Sequence, residues 1–299
     1  MGSFTFKKWN TILGWFVFSI ALVTYWSTVE PTASFWDAGE YITTASNLEV
    51  GHPPGAPLYQ LMGAFFSIFA MEATNIALTI NLMSVFASAF TILFMFWSVT
   101  ILLSNLVKKN DTFTKNSQIA ILGSAVVASL TFAFTDSFWY SAVEAEVYAM
   151  AAFIMSVLFY AGLRWEGEMF TPRGDKWVVL IAFVIGLSFG VHFMGLLTIP
   201  AIGFLYFFKN YNKVTVKNFL IANVVTVAIL LFIFKLLLPM TLRFFSAAEI
   251  FFVNQINMPF NSGTIIAGLL FLAVFYFGLR YTRSKSFVKL NTLLLCVLF

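Results

Sequence analysis

The stretch KKWNTILGWFVFSIALVTYWSTV, Lys7 to Val29, sets two lysines before an apolar run that carries no charge. The hydrocarbon core of a bilayer takes about 20 residues of helix, and Trp9 to Val29 is long enough to cross it. The run lacks a small-residue cleavage site, so it reads as a retained first transmembrane helix and not as a signal peptide. Outward from it the same texture recurs. Of 299 residues, 60% are hydrophobic and only 10% charged, with a mean hydropathy of +0.89. A soluble domain carries about a quarter of charged residues. The composition therefore excludes a soluble globule and predicts an all-α, polytopic transmembrane helix bundle.

The later crossings follow from run length. Leu58 to Met71 is too short to span and reads as an interfacial or re-entrant helix, while Ile76 to Leu103 is a full crossing. Ile119 to Thr135 and Ser141 to Leu163 make two more, and Phe219 to Leu238 and Ile265 to Leu279 one each. Trp177 to Phe208 is either one steeply tilted helix or two short ones broken around Gly190 to Pro200. Charge decides between them. With two crossings there, all of the 17 basic residues except Lys235 and Arg243 fall on the side of the N-terminus. The positive-inside rule makes that side cytoplasmic, so the protein is expected in the cytoplasmic (inner) membrane with its active face periplasmic.

The acids partition the other way. Glu30, Asp37, Glu40, Glu49, Glu72, Asp136, Glu144, Glu146 and Glu249, out of 13 acids, fall at or near the outer side. Acids do little to set topology, so this excess points to function. The lone Cys296 excludes an internal disulfide and a cysteine-rich metal site. The basic residues form no soluble cluster, and no nucleic-acid partner is expected. The final apolar run, Leu290 to Phe299, is too short to span. Residues 1–299 are thus expected to be a single transmembrane domain, the N-terminal part of a longer protein.

Between the first two helices lies EPTASFWDAGEYITTASNLEVGHPPGAPLY, Glu30 to Tyr59, a structured first outer loop and the candidate functional centre. Asp37 and Glu40 stand three apart, so a helical segment puts both carboxylates on one face. Gly51-His52-Pro53-Pro54-Gly55-Ala56-Pro57 combines fixed φ angles with permissive glycines and reads as a rigid elbow that returns the chain to the membrane. His52 is a candidate because it sits in this elbow beside the acids. The histidines and outer acids lack zincin-type spacing, so no metal is expected.

A second cluster is TDSFWYSAVEAEVYAM, Thr135 to Met150. A carboxylate buried near the bilayer costs roughly 2.5–3.5 kcal/mol on the insertion scale. Asp136, Glu144 and Glu146 either sit in interfacial water, with Trp139 and Tyr140 as belt residues, or one of the two glutamates faces a polar cavity shared with Asp37. Their spacing of two would place them on different faces of a helix, and Tyr148, one turn after Glu144, is positioned to hydrogen-bond it. His192, in GVHFMG, is either a packed core histidine or a site residue near the outer end of a short span. Lys235 either snorkels to the interface or, with Arg243, binds an anionic group such as a lipid phosphate.

These parts suit one chemistry. A sugar carried on a polyprenyl phosphate presents its anomeric carbon at the outer interface. A carboxylate there takes the proton of an attacking hydroxyl while cations stabilise the departing phosphate. The rival readings are a proton-coupled transporter or lipid flippase, which needs polar residues through both leaflets, and a non-catalytic anchor subunit, which needs no buried acid.

The runs SFWDAGEYITTASNLEVGHPPGAPLY, WYSAVEAEVYAM and GVHFMGLL, within Thr11 to Phe208, resemble a Bacteroidetes-type bacterial membrane family. Its eukaryotic relatives include a transmembrane protein O-mannosyltransferase of plexin-type receptors, in the GT-C glycosyltransferase superfamily. The resemblance implies a GT-C-like bundle and Asp37 as catalytic base with Glu40 and His52 as neighbours. It further implies transfer of a sugar, mannose by analogy, from a polyprenyl-phosphate donor to a protein or other acceptor, with no cofactor beyond that lipid-linked donor.

Overall fold

The computed structural model describes residues 5–53, 55–109, 113–211 and 213–299. Pro54 of the elbow, and Asn110 to Thr112 of the polar loop after the second crossing, lie outside the described residues. Every regular element among the described residues is helical. Seven helical runs are long and apolar enough to cross a membrane: Phe6–Ser27, Ala73–Lys108, Lys115–Ala133, Val147–Glu168, Phe193–Asn210, Val216–Gln255 and Ser262–Ser284. The protein is an all-α polytopic bundle. Contacts group it into two compact units, Met1–Gly167 with Val184–Thr198, and Glu168–Phe183 with Ile199–Phe299.

The first unit is built on α1 (Phe6–Ser27), α4 (Ile76–Lys109), α5 (Lys115–Ala133) and α7 (Val147–Glu168). Small residues let the helices close up: a Cβ on Gly14 of α1 would fall 2.7 Å from the Trp97 ring nitrogen of α4. Val17, Ala21 and Tyr25 of α1 pack against Val85, Ala89, Ile92 and Phe96 of α4, with Leu122 and Ala125 of α5 completing the core. The buried Tyr25 hydroxyl is satisfied by donating to the Ala133 carbonyl at 2.8 Å.

Three short helices gather at one end of this unit: α2 (Ala38–Asn47), α3 (Pro57–Ser67) and α6 (Asp136–Ala142). The 11-residue α3 is too short to span, as its run length predicts. It opens with Pro57 in the first turn, where the missing N–H costs nothing. The elbow before it turns through left-handed backbone, Gly55 at φ 87° and Ala56 at φ 37°. The first free amides of α3, Leu58 and Tyr59, both donate to the Gly190 carbonyl, at 2.7 and 3.0 Å. The other end of the unit holds Phe6 against Phe113 (5.4 Å between rings) and Asn105 with Glu166 (3.4 Å).

One expected span differs in detail, and another breaks where expected. Ser141 to Leu163 is not one helix: α6 ends at Ala142, α7 starts at Val147, and the break carries Glu144 and Glu146. An unbroken helix would send these two carboxylates to different faces, whereas the bent chain lets both line one cavity. Trp177 to Phe208 is broken, with α8 (Asp175–Phe189), a 3-10 turn at Phe193–Leu197 and α9 (Thr198–Asn210).

In the second unit α10 (Val216–Leu231) and α11 (Leu238–Ile250) join through a π turn at Phe232–Leu237. Pro239 has no N–H for the carbonyl four residues back, that of Lys235, and the wide turn absorbs the mismatch. The helical run Val216–Gln255 is therefore 40 residues, far beyond the expected Phe219 to Leu238. At 1.5 Å per residue it is about 60 Å long, twice the hydrocarbon thickness. α12 (Ser262–Ser284) and α13 (Val288–Leu298) complete the unit. Glu249 accepts from the Asn261 and Thr264 amides, at 2.6 and 2.8 Å, so this acid caps the start of α12.

Candidate functional site

The first outer loop is tied down from three directions. The Asn81 side-chain amide of α4 donates to the Glu30 and Thr32 carbonyls at 2.6 and 2.9 Å. The Glu30 amide donates to the Val143 carbonyl at 3.0 Å. The Ser34 hydroxyl donates to Glu144 Oε2 at 2.6 Å. These bonds bring WDAGE over the break between α6 and α7.

Asp37 is the residue before α2, and Glu40 lies in its first turn, which suits negative charge at a helix N-terminus. The elbow folds back onto both. The His52 amide donates to Glu40 Oε1 at 2.7 Å, and its ring nitrogens lie 3.1 Å from Glu40 Oε2 and 3.9 Å from Asp37 Oδ2. The His52 amide and then its ring hold the Glu40 carboxyl below its ordinary range. The ligand atoms of Asp37, Glu40 and His52 all lie within 4.8 Å of one another, a spacing that admits a cation. The sequence carries no metal motif for it.

Beside this trio, Trp36, Asp37, Tyr140, Ser141, Glu144, Glu146 and Tyr148 line a cavity of about 340 Å³. Glu144 and Glu146 are 4% and 5% exposed, and both face it because the chain between them is bent. Burial raises the Glu144 carboxyl, against the opposing hydrogen bonds from Ser34 and Tyr140. Burial, then the charges of Glu144 and Asp37, push Glu146 up to about 7. The neighbouring Asp37 amide opposes that rise. Glu144 thus holds the loop ahead of Trp36 through Ser34. Burial, then the carboxylates around it, raise the Tyr41 hydroxyl to about 12.

Tyr148 does not partner Glu144, as helical spacing would have it. The Tyr148 ring lies 5.6 Å from that of His192 instead, and the Tyr140 hydroxyl pulls the Glu144 carboxyl back down. The reason is the break at Glu144, which removes the helical register the pairing needs. His192 caps the 3-10 turn, its Nδ1 accepting from the Met194 amide at 3.2 Å, and burial lowers its pKa. Lys235 and Arg243 belong to the second unit: Lys235 lies in the π turn with its ammonium 5.3 Å from the Phe234 ring centre. Among the described residues no lysine or arginine lines the acidic cavity. Ser34, Trp36 and Tyr140 are the site residues the sequence reading missed as such. The only signal for them is proximity in sequence to the acids they touch.

On another face of α7, an apolar groove of about 590 Å³ is lined by Trp26, Met62, Phe65, Phe86, Met150 and Phe153 among others. Met150 stands two residues from Tyr148, so one turn of α7 borders both spaces.

Residues 37–215 match the family described as the protein O-mannosyl-transferase TMEM260 N-terminal domain. The chain is 23% identical to the protein O-mannosyl-transferase tmem260 of Dictyostelium discoideum over 66% of its length, and 26% identical to that of Mus musculus over 58%. It spans 23% and 22% of those two relatives. No solved structure matches.

Proposed function

The chain belongs to the protein O-mannosyl-transferase TMEM260 N-terminal domain family, and from that premise we propose that it transfers a sugar, mannose by analogy, from a polyprenyl phosphate to an acceptor hydroxyl. The observation that carries this reading is one cavity where Asp37 meets Glu144 and Glu146 beside an apolar groove. The groove takes the prenyl chain and the cavity takes the sugar. Asp37, whose side chain is 56% exposed and free of the loop-holding bonds of Glu144, accepts the acceptor's proton. The acceptor oxygen forms a bond to the anomeric carbon, the bond from that carbon to the phosphate oxygen breaks, and the prenyl phosphate leaves with its electrons. Glu144 holds the loop so that Asp37 stays in place, and Glu40 and His52 fix its other side. The described acids of the site gather at one end of the first unit, which favours transfer at an interface over a proton path through both leaflets. The acceptor is a protein or other hydroxyl compound, and the working side is periplasmic.

Asp37→Asn tests the base. An amide keeps the shape but takes no proton, so transfer from polyprenyl-phosphate mannose should fall by roughly 10²–10⁴-fold with thermal unfolding unchanged. Near-normal transfer removes Asp37 from this role. On sequence grounds, a lipid phosphate is assigned to Lys235 together with Arg243. Lys235→Met and Arg243→Gln should each weaken donor binding, and affinity unchanged from wild type in both variants removes that assignment.

A further inference from the structure

Trp36 combines two costs. Its backbone lies in the left-handed region at φ 62°, which disfavours a bulky side chain. Its side chain is 87% exposed, so no packing offsets that strain. The conformation is imposed from both flanks. Ser34 donates to the nearly buried Glu144 at 2.6 Å, and the Asp37 carbonyl opens α2 by accepting from the Tyr41 amide at 2.9 Å, so the chain is held on either side of the indole. A strained residue persists where its surroundings over-determine it, and such places cluster at ligand sites. Here the imposed turn separates the aromatic pair: Trp36 lines the acidic cavity and Phe35, 80% exposed, does not.

The cavity's chemistry selects what the indole meets. Its lining offers the carboxylates of Asp37, Glu144 and Glu146 and the hydroxyls of Tyr140 and Tyr148, and no cation among the described residues. An anion is repelled there. A neutral polyol suits it, because its hydroxyls donate to carboxylates along the rim. A pyranose also has a face of C–H groups, slightly positive, which matches the negative face of an aromatic ring. Trp36, exposed and rigidly presented, is such a ring.

We propose that the indole of Trp36 is the platform on which the pyranose of the donor stacks, with the Ser34–Glu144 bond and the first turn of α2 holding it in its left-handed turn. This rests on the sugar-transfer reading above. The test measures binding of polyprenyl-phosphate mannose, and of the same polyprenyl phosphate without sugar, to the full chain in nanodiscs. Wild type should prefer the mannosylated lipid by about tenfold, which Trp36→Ala abolishes and Trp36→Phe largely keeps, with sugar-free lipid bound equally by all three. Trp36→Gly should lose the preference while raising the unfolding temperature, since glycine accepts the left-handed turn. If Trp36→Ala keeps the wild-type preference, the platform is overturned and the transfer reading stands. If Trp36→Ala weakens both lipids equally, Trp36 is a membrane-interface anchor and the platform is overturned. If wild type itself shows no preference for the mannosylated lipid, both readings fall together.

Discussion

Glu146 and Glu40 sit on opposite sides of Asp37 and respond to pH with opposite sign. The Glu146 carboxyl lies at about 7 in the folded chain against an ordinary 4.5. Between those values the folded state keeps a proton that the unfolded state has released. Its contribution to stability is therefore full below pH 4.5 and is lost as pH rises through 7. The shift corresponds to at most about 3 kcal/mol, less where cavity water screens the group. Glu40, held low by the His52 amide and ring, contributes above its ordinary value and loses that contribution as pH falls through its lowered one. Glu146→Gln should flatten the decline in unfolding temperature between pH 4.5 and 7, while Glu40→Gln should flatten the loss in acid; melting curves in detergent from pH 3 to 8 read both. A Glu146→Gln curve parallel to wild type across that range would contradict the assignment. Acids of this kind stand out in an apolar sequence, which is why Asp37, Glu40, Glu144 and Glu146 could be picked from composition alone. Trp36 and Tyr140 could not, because an aromatic beside a membrane helix has an ordinary place in the interfacial belt. Only the bend at Glu144 reveals that they share a cavity with the acids.

At the scale of elements, the elbow shows what local sequence can and cannot specify. Prolines and glycines between Gly51 and Pro57 announce a sharp return of the chain, and α3 duly begins at Pro57. The partner that receives its first amides is the Gly190 carbonyl, more than a hundred residues away, and no local pattern points to it. The approach is close: a Cβ on Gly190 would meet the Leu58 Cβ at 2.7 Å and its amide nitrogen at 3.2 Å. Gly190→Ala should therefore push α3 off its cap and cost about 1–3 kcal/mol, the usual penalty for overpacking. The check is a lower unfolding temperature together with faster proteolysis in the Gly51 to Pro57 elbow. An alanine variant as stable as wild type, with the elbow still protected, would show that the contact is soft. The π turn at Phe232–Leu237 follows the same logic: Pro239 is visible in the sequence and predicts an interruption, but helix on both sides of it turns an expected span end into a continuous run.

For the whole molecule the deciding element is α8, whose 15 residues are fewer than a full crossing needs and which is not among the seven long apolar runs. Counting those seven alone, Phe193–Asn210 would carry the chain from the side of Lys115 to the opposite side. Lys209, Lys213 and Lys217 would then lie outside, against the positive-inside rule. The first unit argues for the other count. α7 starts beside the acidic cavity at Val147 and runs 22 residues, about 33 Å, away from it. By His192 the chain is back against Tyr148, and Gly190 caps α3 at that same end. The segment between must return across the thickness that α7 traversed, so α8 counts as a crossing, short and tilted or set in a thinned bilayer. With Cys296 replaced by alanine, single cysteines at Asn47, Asn116 and Lys213 read this directly, since all three positions are exposed. A membrane-impermeant maleimide applied to intact cells should label the Asn47 site alone, and the other two only after permeabilisation. Labelling of the Lys213 site from outside would remove α8 from the crossings, while labelling of Asn47 and Asn116 from one side would overturn the placement of the first outer loop.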